Sequence, residues 1–334
     1  MPMAERPDGS IEIRILARSD WSVWRDWLVD HPASPFHTPA WLELQAAAFG
    51  GEPLCAGLFR GNVLADVFPI VVRRRGPFHI GSSPIHVGTP YGGPNSTAID
   101  REVGDRLVGF AKENRISFLD VYLDPRVRAS GDPLVVEKHS TYVLDLGNGN
   151  EGVFERFESR CRRAIRKAER LGVVVREMTT DDLPSYRKMA KETYAKSDQS
   201  PPLPTKFVER VLTNPDLRSQ TLSLVAHVDG ESVAAGIFPW GGDTVYYVDG
   251  VSSRVGTRYA PNNLLHWTVI QKAIDLGLRR YDLVGASIRS IAFFKRSFGA
   301  EETTHLRIYW GTAAGKLGYG AQRILTGSKD RRRG

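Results

Sequence analysis

"LCAGLFRGNVLADVFP" at 54–69 and "LVAHVDGESVAAGIFP" at 224–239 align without a gap. The identities are Leu54 with Leu224, Ala56 with Ala226, Val63 with Val233, Ala65 with Ala235, Phe68 with Phe238 and Pro69 with Pro239. Each stretch holds two apolar runs of strand length around "RGN" or "DGES", the pattern of a β-hairpin. Two further segments repeat in the same order. "IRILARSDWSVWR" (13–25) matches "VREMTTDDLPSYR" (175–187), and "AKENRISFLDV" (111–121) matches "AIDLGLRRYDL" (273–283), pairing Asp120 with Asp282. Apolar periodicity alone does not fix identities, so three ordered matches imply an internal duplication.

Both copies predict the same elements. A strand (11–17, 173–178) precedes two helices (20–30 and 39–48; 181–196 and 204–213). The hairpin follows (54–59 with 63–72; 220–228 with 232–239). The second copy continues with a strand at 244–250, a helix at 261–276, a strand at 279–284, a short helix at 289–298 and a strand at 303–310. The class is α/β, with the segregated character of α+β. The implied division is domain 1 at 1–147, a linker with a basic helix at 148–172, domain 2 at 173–311 and a tail at 312–334.

The 334 residues suffice for two such domains, and 41% hydrophobic with 25% charged residues is a globular composition. The net charge of +7 owes part of its excess to the terminal "GSKDRRRG", read as a disordered end. The remaining body is too mildly basic to imply nucleic acid by charge alone. Cys55 and Cys161 fall in apolar patterns without disulfide or metal spacing. "MPMAERPDGSIEIRI" lacks an apolar signal region and no run reaches membrane-span length, so the expected compartment is the cytoplasm.

"SRCRRAIRKAERLGVVVRE" begins at Ser159. On a helical wheel Cys161, Ala164, Ile165, Ala168 and Leu171 share one side, while Arg160, Arg162, Arg163, Arg166, Lys167 and Arg170 fill the other. Gly172 ends the helix. A solvated face normally mixes both signs, so six like charges point equally to an anionic partner.

Several catalytic motifs are missing: no Walker loop, HExxH or GxSxG occurs. "GNGNEG" (147–152) is a literal GxGxxG, but Glu151 would sit beside a pyrophosphate at the helix start. The hairpin downstream is antiparallel, so the stretch reads as a linker.

The element order resembles the GNAT acyltransferase fold, here twice in tandem, and the chain resembles the Fem-type aminoacyltransferases over about residues 11–311. The resemblance rests on "FHTPAWLELQAAAFG" (36–50), "PYGGP" (90–94), "FLDVYLDP" (118–125), the basic helix, "YYVDG", "PNNLLHWTVIQKAIDLG", "YDLVG" (281–285) and "FFKRSFG" (293–299). It implies transfer of an aminoacyl group from aminoacyl-tRNA to an amino group of a cell-wall precursor or secondary metabolite. Phe294 and Lys295 match the family's "FK", which puts Lys295 at the acyl-transfer centre as oxyanion stabiliser. Asp124 matches an aspartate that orients or deprotonates the acceptor amine, and Tyr247 a tyrosine lining the acceptor site. Thr193 and Lys196 stand where members often show T-x-x-R; after Trp41 the chain has Glu43 and Gln45 instead of a phosphate-gripping lysine.

From the residues alone, Lys295 reads as a solvated lysine on an amphipathic helix whose Phe293, Phe294 and Phe298 are core. The acyl carrier also stays open. CoA-dependent GNAT enzymes cradle the pyrophosphate with an R/Q-x-x-G-x-G/A loop; here Arg254, Gly256 and Arg258 occur without the Gly-x-Gly spacing, and Pro261 removes an N–H. The leading expectation uses aminoacyl-tRNA as co-substrate, held through its backbone by the basic helix, with no resident cofactor or metal. The alternative is an acyltransferase using acyl-CoA or an acidic acyl carrier protein to modify a sugar or amine. A third is a binding module that keeps the fold without activity.

Overall fold

The computed structural model describes residues 11–95, 97–195, 200–285, 288–316 and 319. In chain order the elements begin with β1 (Ile11–Leu16), α1 (Trp21–Asp30), α2 (Pro39–Phe49), β2 (Glu52–Arg60), β3 (Val63–Arg75), β4 (Phe78–Ser83), α3 (Arg101–Glu113) and β5 (Phe118–Tyr122). They continue with β6 (Val135–Asp145), α4 (Gly149–Glu155), α5 (Ser159–Arg170), β7 (Val174–Glu177), α6 (Leu183–Ala195), α7 (Thr205–Thr213) and α8 (Pro215–Ser219). Last come β8 (Thr221–Val228), β9 (Glu231–Gly241), β10 (Thr244–Tyr246), β11 (Asp249–Ser252), α9 (Pro261–Asp275), β12 (Arg280–Asp282), α10 (Arg289–Arg296) and β13 (Glu301–Gly311).

Two compact units result. Unit 1 is Met1–His31, Phe36–His139 and His305–Gly334; unit 2 is Pro32–Pro35 and Ser140–Thr304. The expected boundaries at 147, 173 and 311 do not divide the chain this way, because β6 and β13 each contribute to both units. The tail's "GSKDRRRG" lies outside the described residues.

Within unit 1 the strand order is β1-β2-β3-β4-β5-β13, all antiparallel except the parallel β4–β5 pair. Unit 2 has the order β7-β8-β9-β10-β12-β6, again antiparallel except the parallel β10–β12 pair. The two orders are identical position by position, and the hairpins β2–β3 and β8–β9 occupy the same place in each. The duplication read from the sequence is therefore present in the sheets. In each unit the final strand is not the one that follows in sequence. Unit 1 takes Arg307–Gly311 from the chain's end, and unit 2 takes Val143–Asp145 from β6.

Apolar alternation explains where each core forms. Ala56, Leu58, Phe68 and Ile70 of the first hairpin pack with Val103, Leu107 and Phe110 of α3. Leu224, Ala226, Ala234 and Phe238 of the second pack with Leu265, Val269 and Ile270 of α9. Each large apolar side chain buried in this way contributes about 1.5–3 kcal/mol. α5 docks on unit 2 through Cys161, Ile165 and Ala168, and Gly172 at φ 74 turns the chain into β7. Leu171, expected on the apolar side, is 39% exposed because the helix has ended before it.

Candidate active site

The strand expected at 244–250 is broken, and the break builds the site. β10 pairs with β12 from Thr244 to Tyr246, and Tyr247 N still donates to Asp282 O at 2.8 Å. From Asp249 onward the strand, now β11, pairs with β9. The parallel strands thus separate just past Tyr246 and Asp282, and the backbone of β12 turns away through two left-handed residues, Val284 (φ 54) and Gly285 (φ 46). A β-branched residue in that region is strained, which is common at functional positions.

Both left-handed residues present their carbonyls to Lys295. Its Nζ donates to Val284 O and, at 2.7 Å, to Gly285 O, and the residue is 4% exposed. Burial lowers its pKa to about 8, with partial compensation from the Asp282 carboxylate. An ammonium has three N–H groups, so two carbonyls leave one for another acceptor. Lys295 is therefore not a solvated residue. Its neighbour Phe293 is 53% exposed instead of core, its ring covered by the Arg160 guanidinium; Phe298 is buried and Phe294 half-buried.

Tyr247 lies beside the lysine, its ring centre 5.8 Å from Nζ. It packs on Phe238 and against His266, which also touches Phe294. Burial, then Lys295, pushes His266 down to about 3, so the ring is neutral; its Nδ1 lies 2.6 Å from the Tyr281 hydroxyl. An added Cβ at Gly250 would collide with the Tyr247 hydroxyl, which explains the glycine after Asp249. Lys295, Tyr247 and Phe294 are thus brought together.

Asp249 escaped the sequence reading, although it is the fourth residue of "YYVDG". It is buried, accepts from Tyr186 and at 3.4 Å from Tyr194, and has no lysine, arginine or histidine in ion-pair reach among the described residues. Burial therefore raises its pKa despite those hydrogen bonds. Thr193, at the T-x-x-R place, bridges Ser252: its Oγ1 donates to the Ser252 carbonyl at 3.1 Å and accepts from the Ser252 N–H at 2.9 Å. Lys196 lies outside the described residues.

Asp124 belongs to unit 1. It accepts from Arg126 Nε at 2.7 Å, Nη2 at 3.0 Å and backbone N at 3.0 Å. Burial would raise this carboxyl, but the Arg126 bonds outweigh it and hold the pKa below its ordinary value. Such a carboxylate attracts a cation and is a poor proton acceptor; of the two expected roles, this is the chemistry of orienting an ammonium rather than deprotonating it.

The loop before α9 offers little to a pyrophosphate. Gly256 N–H donates to Ser253 Oγ at 2.9 Å, Ala260 N–H to Thr257 O and Asn263 N–H to Ala260 O, while Pro261 opens the helix. A phosphate cradle needs such groups free. On α5, three of the six basic residues donate to protein, Arg163 only through a long 3.4 Å bond to Ser159 Oγ. Arg160 pairs with Glu158 at 2.8 Å and donates to Phe293 O; Arg162 donates to Glu155 O at 2.7 Å and to Phe157 O. Arg163, Arg166, Lys167 and Arg170 are exposed and adjacent on the wheel. No described helix is long and apolar enough to cross a membrane, and the described residues hold no metal-binding group of three or more His, Cys, Asp or Glu. The "GNGNEG" stretch enters α4 at Gly149, with Glu151 in its first turn.

Residues 155–296 match a family described as an acetyltransferase (GNAT) domain. FemX shares the fold with a TM-score of 0.66 at 12% identity, over 88% of this chain and 96% of FemX. A tandem GNAT protein from the clavulanic acid biosynthesis pathway aligns with a TM-score of 0.53 at 11% identity, covering 90% of this chain and 98% of that one. L-PGS from Bacillus licheniformis aligns at 0.52 and 12% identity, over 90% and 99% of the two chains. No curated protein matches the chain in sequence. The chain thus has the tandem GNAT fold, Fem-like in arrangement, and residues 155–296, in unit 2, match a GNAT domain.

Proposed function

We propose that the protein forms an amide by moving an aminoacyl group from the ester of aminoacyl-tRNA to an amine of a peptide-like acceptor. The observation that carries the reading is Lys295: a buried ammonium with two N–H groups held by carbonyls and a third left over, at the mouth of the separated strands. The amine nitrogen bonds to the ester carbonyl carbon, and the carbon–oxygen bond to the ribose breaks. The proton shed by nitrogen ends on the leaving hydroxyl. Negative charge develops on the carbonyl oxygen and then on the ribose oxygen, where a preorganised N–H donor acts most strongly. At a pKa of about 8, Lys295 is mainly charged at neutral pH.

Support for tRNA as carrier comes from the exposed arc Arg163, Arg166, Lys167 and Arg170 and from the Fem-like fold. Such an arc binds phosphates without base readout. The match to an acetyltransferase domain favours a second reading, with acyl-CoA or an acyl carrier protein as donor. The engaged N–H groups before α9 weigh against CoA. Retention of bulk tRNA by the purified protein separates the two. The first reading requires salt-sensitive retention and ribonuclease-sensitive product formation; product from acyl-CoA after ribonuclease treatment would favour the second.

A further inference from the structure

α4 and α5 follow one another across residues 156–158, and their outer faces meet in a cleft of about 380 Å³ within unit 2. Glu151, Phe154 and Glu155 line it from α4, and Arg162 and Arg166 from α5. Spacings of three and four residues put each set on one side of its helix. Val153 faces the other way and is fully buried in the unit 2 core.

The groups in the cleft differ in what already holds them. Phe154 is half-buried and anchored, its ring centre 5.0 Å from that of Trp267 and 5.4 Å from that of Phe157. Arg162 is committed to the Glu155 and Phe157 carbonyls. Arg166 is exposed and has no hydrogen bond or ion pair among the described residues; its guanidinium stands 5.9 Å from the centre of the Phe154 ring. Arg160, on the same helix, lies 3.0 Å over the Phe293 ring, the closeness of a stacked pair. Arg166 and Phe154 are thus aligned without touching, and a small outward swing of Arg166 admits a flat ring between them. Glu151 and Glu155 are exposed and have no ion pair among the described residues.

This chemistry selects a base over a phosphate. Two carboxylates repel a phosphate, which leaves that role to Arg163, Lys167 and Arg170 farther round the same helix. An aromatic platform, an unstacked guanidinium and unpaired carboxylates suit a nucleobase: ring and cation cover its faces, and a carboxylate accepts from its exocyclic amine. The cleft is also tied to the reacting centre. The segment between α4 and α5 rests on α10, with Glu158 N–H donating to Ser297 O at 2.9 Å and Arg160 to Phe293 O at 3.1 Å. A line of rings runs from Phe154 through Phe157 and Phe298 to Phe294, the neighbour of Lys295, with successive centres 5.4, 5.2 and 5.2 Å apart.

We infer that the α4–α5 cleft holds one unpaired base of the RNA that carries the aminoacyl ester, stacked between Phe154 and Arg166. The inference rests on the aminoacyl-tRNA reading and deepens it: the 3′ CCA end is gripped by a base as well as by its backbone, and cytosine or adenine is favoured over uracil.

A short acceptor-stem hairpin RNA ending in unpaired CCA tests it on the full chain, beside the same hairpin with one unpaired base removed at a time and with UUU in place of CCA. Removing the base that occupies the cleft should weaken binding about five- to a hundredfold, the size of one lost base–aromatic stack. Phe154→Leu should weaken the intact hairpin by a similar factor and leave that abasic hairpin unchanged. Its salt slope should equal the parent's, because no phosphate contact is lost. If Phe154→Leu does not fold, Glu151→Ala with Glu155→Ala, both on the surface, should remove the preference for CCA over UUU. Equal binding of intact and abasic hairpins, a Phe154→Leu loss shared by all of them, or a CCA preference that survives the double variant would each overturn the site. Displacement of the hairpin by coenzyme A would assign the cleft to that adenine and overturn it too. Salt-sensitive binding that ignores the bases overturns the cleft alone, whereas the absence of salt-sensitive RNA binding overturns the tRNA reading on which it rests.

Discussion

Asp120 and Asp282 occupy the same position in the two sheets, each buried on the second strand of the parallel pair, and their partners differ. Asp120 is closed by Arg307, at 2.7 Å, and by Tyr319. Asp282 accepts from Thr141, which stands at the position equivalent to Arg307 in the final strand, and from Val284 N. In unit 1 the carboxylate is neutralised inside the sheet. In unit 2 its field reaches Lys295.

That difference predicts unequal stability effects. Arg307→Met leaves Asp120 buried without its cation and should cost about 3–5 kcal/mol in denaturant melts. Asp282→Asn keeps an acceptor for Thr141 and should cost less than about 1.5 kcal/mol. Equal costs would mean that the two aspartates are in the same electrostatic setting.

Lys295 predicts a pH signature. If its ammonium stabilises the transition state, transfer should fall as pH rises through about 8. Asp282 favours the charged form, so Asp282→Asn should move that fall to lower pH. Folding lowers the lysine's pKa from 10.5, so between about 8 and 10.5 the unfolded chain binds more protons and stability rises with pH. Lys295→Met, similar in volume, should remove both the rate limb and this rise.

Asp249 carries the opposite sign. Its raised pKa means that folding favours the neutral acid, so its contribution is present at low pH and is lost as pH rises through the folded value. Asp249→Asn should therefore melt above the parent at neutral pH, with a gap that closes on acidification. A variant that melts lower at neutral pH would show that the tyrosine bonds outweigh burial.

The α5 arc predicts a salt dependence. Replacing Arg163, Arg166, Lys167 and Arg170 with Gln should reduce the slope of log affinity for tRNA against log salt, by about 0.7–0.9 for each phosphate no longer neutralised. Arg160 and Arg162 already bind protein carbonyls, so their replacement should change the slope less.

The duplicated hairpins were legible because both carry apolar strands around a tight turn, but alternation repeats every two residues and the matched identities sit two places out of register: Phe68 pairs with Ala56, whereas Phe238 pairs with Leu222. The amphipathic helix was legible because Cys161, Ile165 and Ala168 keep a helical period. Local pattern could not show that Val143–Asp145 and Arg307–Gly311 leave the copy they follow, because strand partnership is a long-range choice. Nor could it show Lys295 buried: the helix reads as amphipathic, and the carbonyls that hold the lysine come from a strained loop ten residues earlier. Asp249 was hidden likewise, because its neighbours lie on other elements.

The central claim is an aminoacyl-ester donor acting at Lys295. Its most direct test is single-turnover formation of alkali-stable amide from bulk tRNA charged with labelled amino acids, supplied with a small-molecule extract as the source of acceptors. The amide should disappear with prior ribonuclease treatment and its rate of formation should fall about two to three decades in a folded Lys295→Met variant. Amide that survives ribonuclease, or an undiminished rate in Lys295→Met, would contradict it.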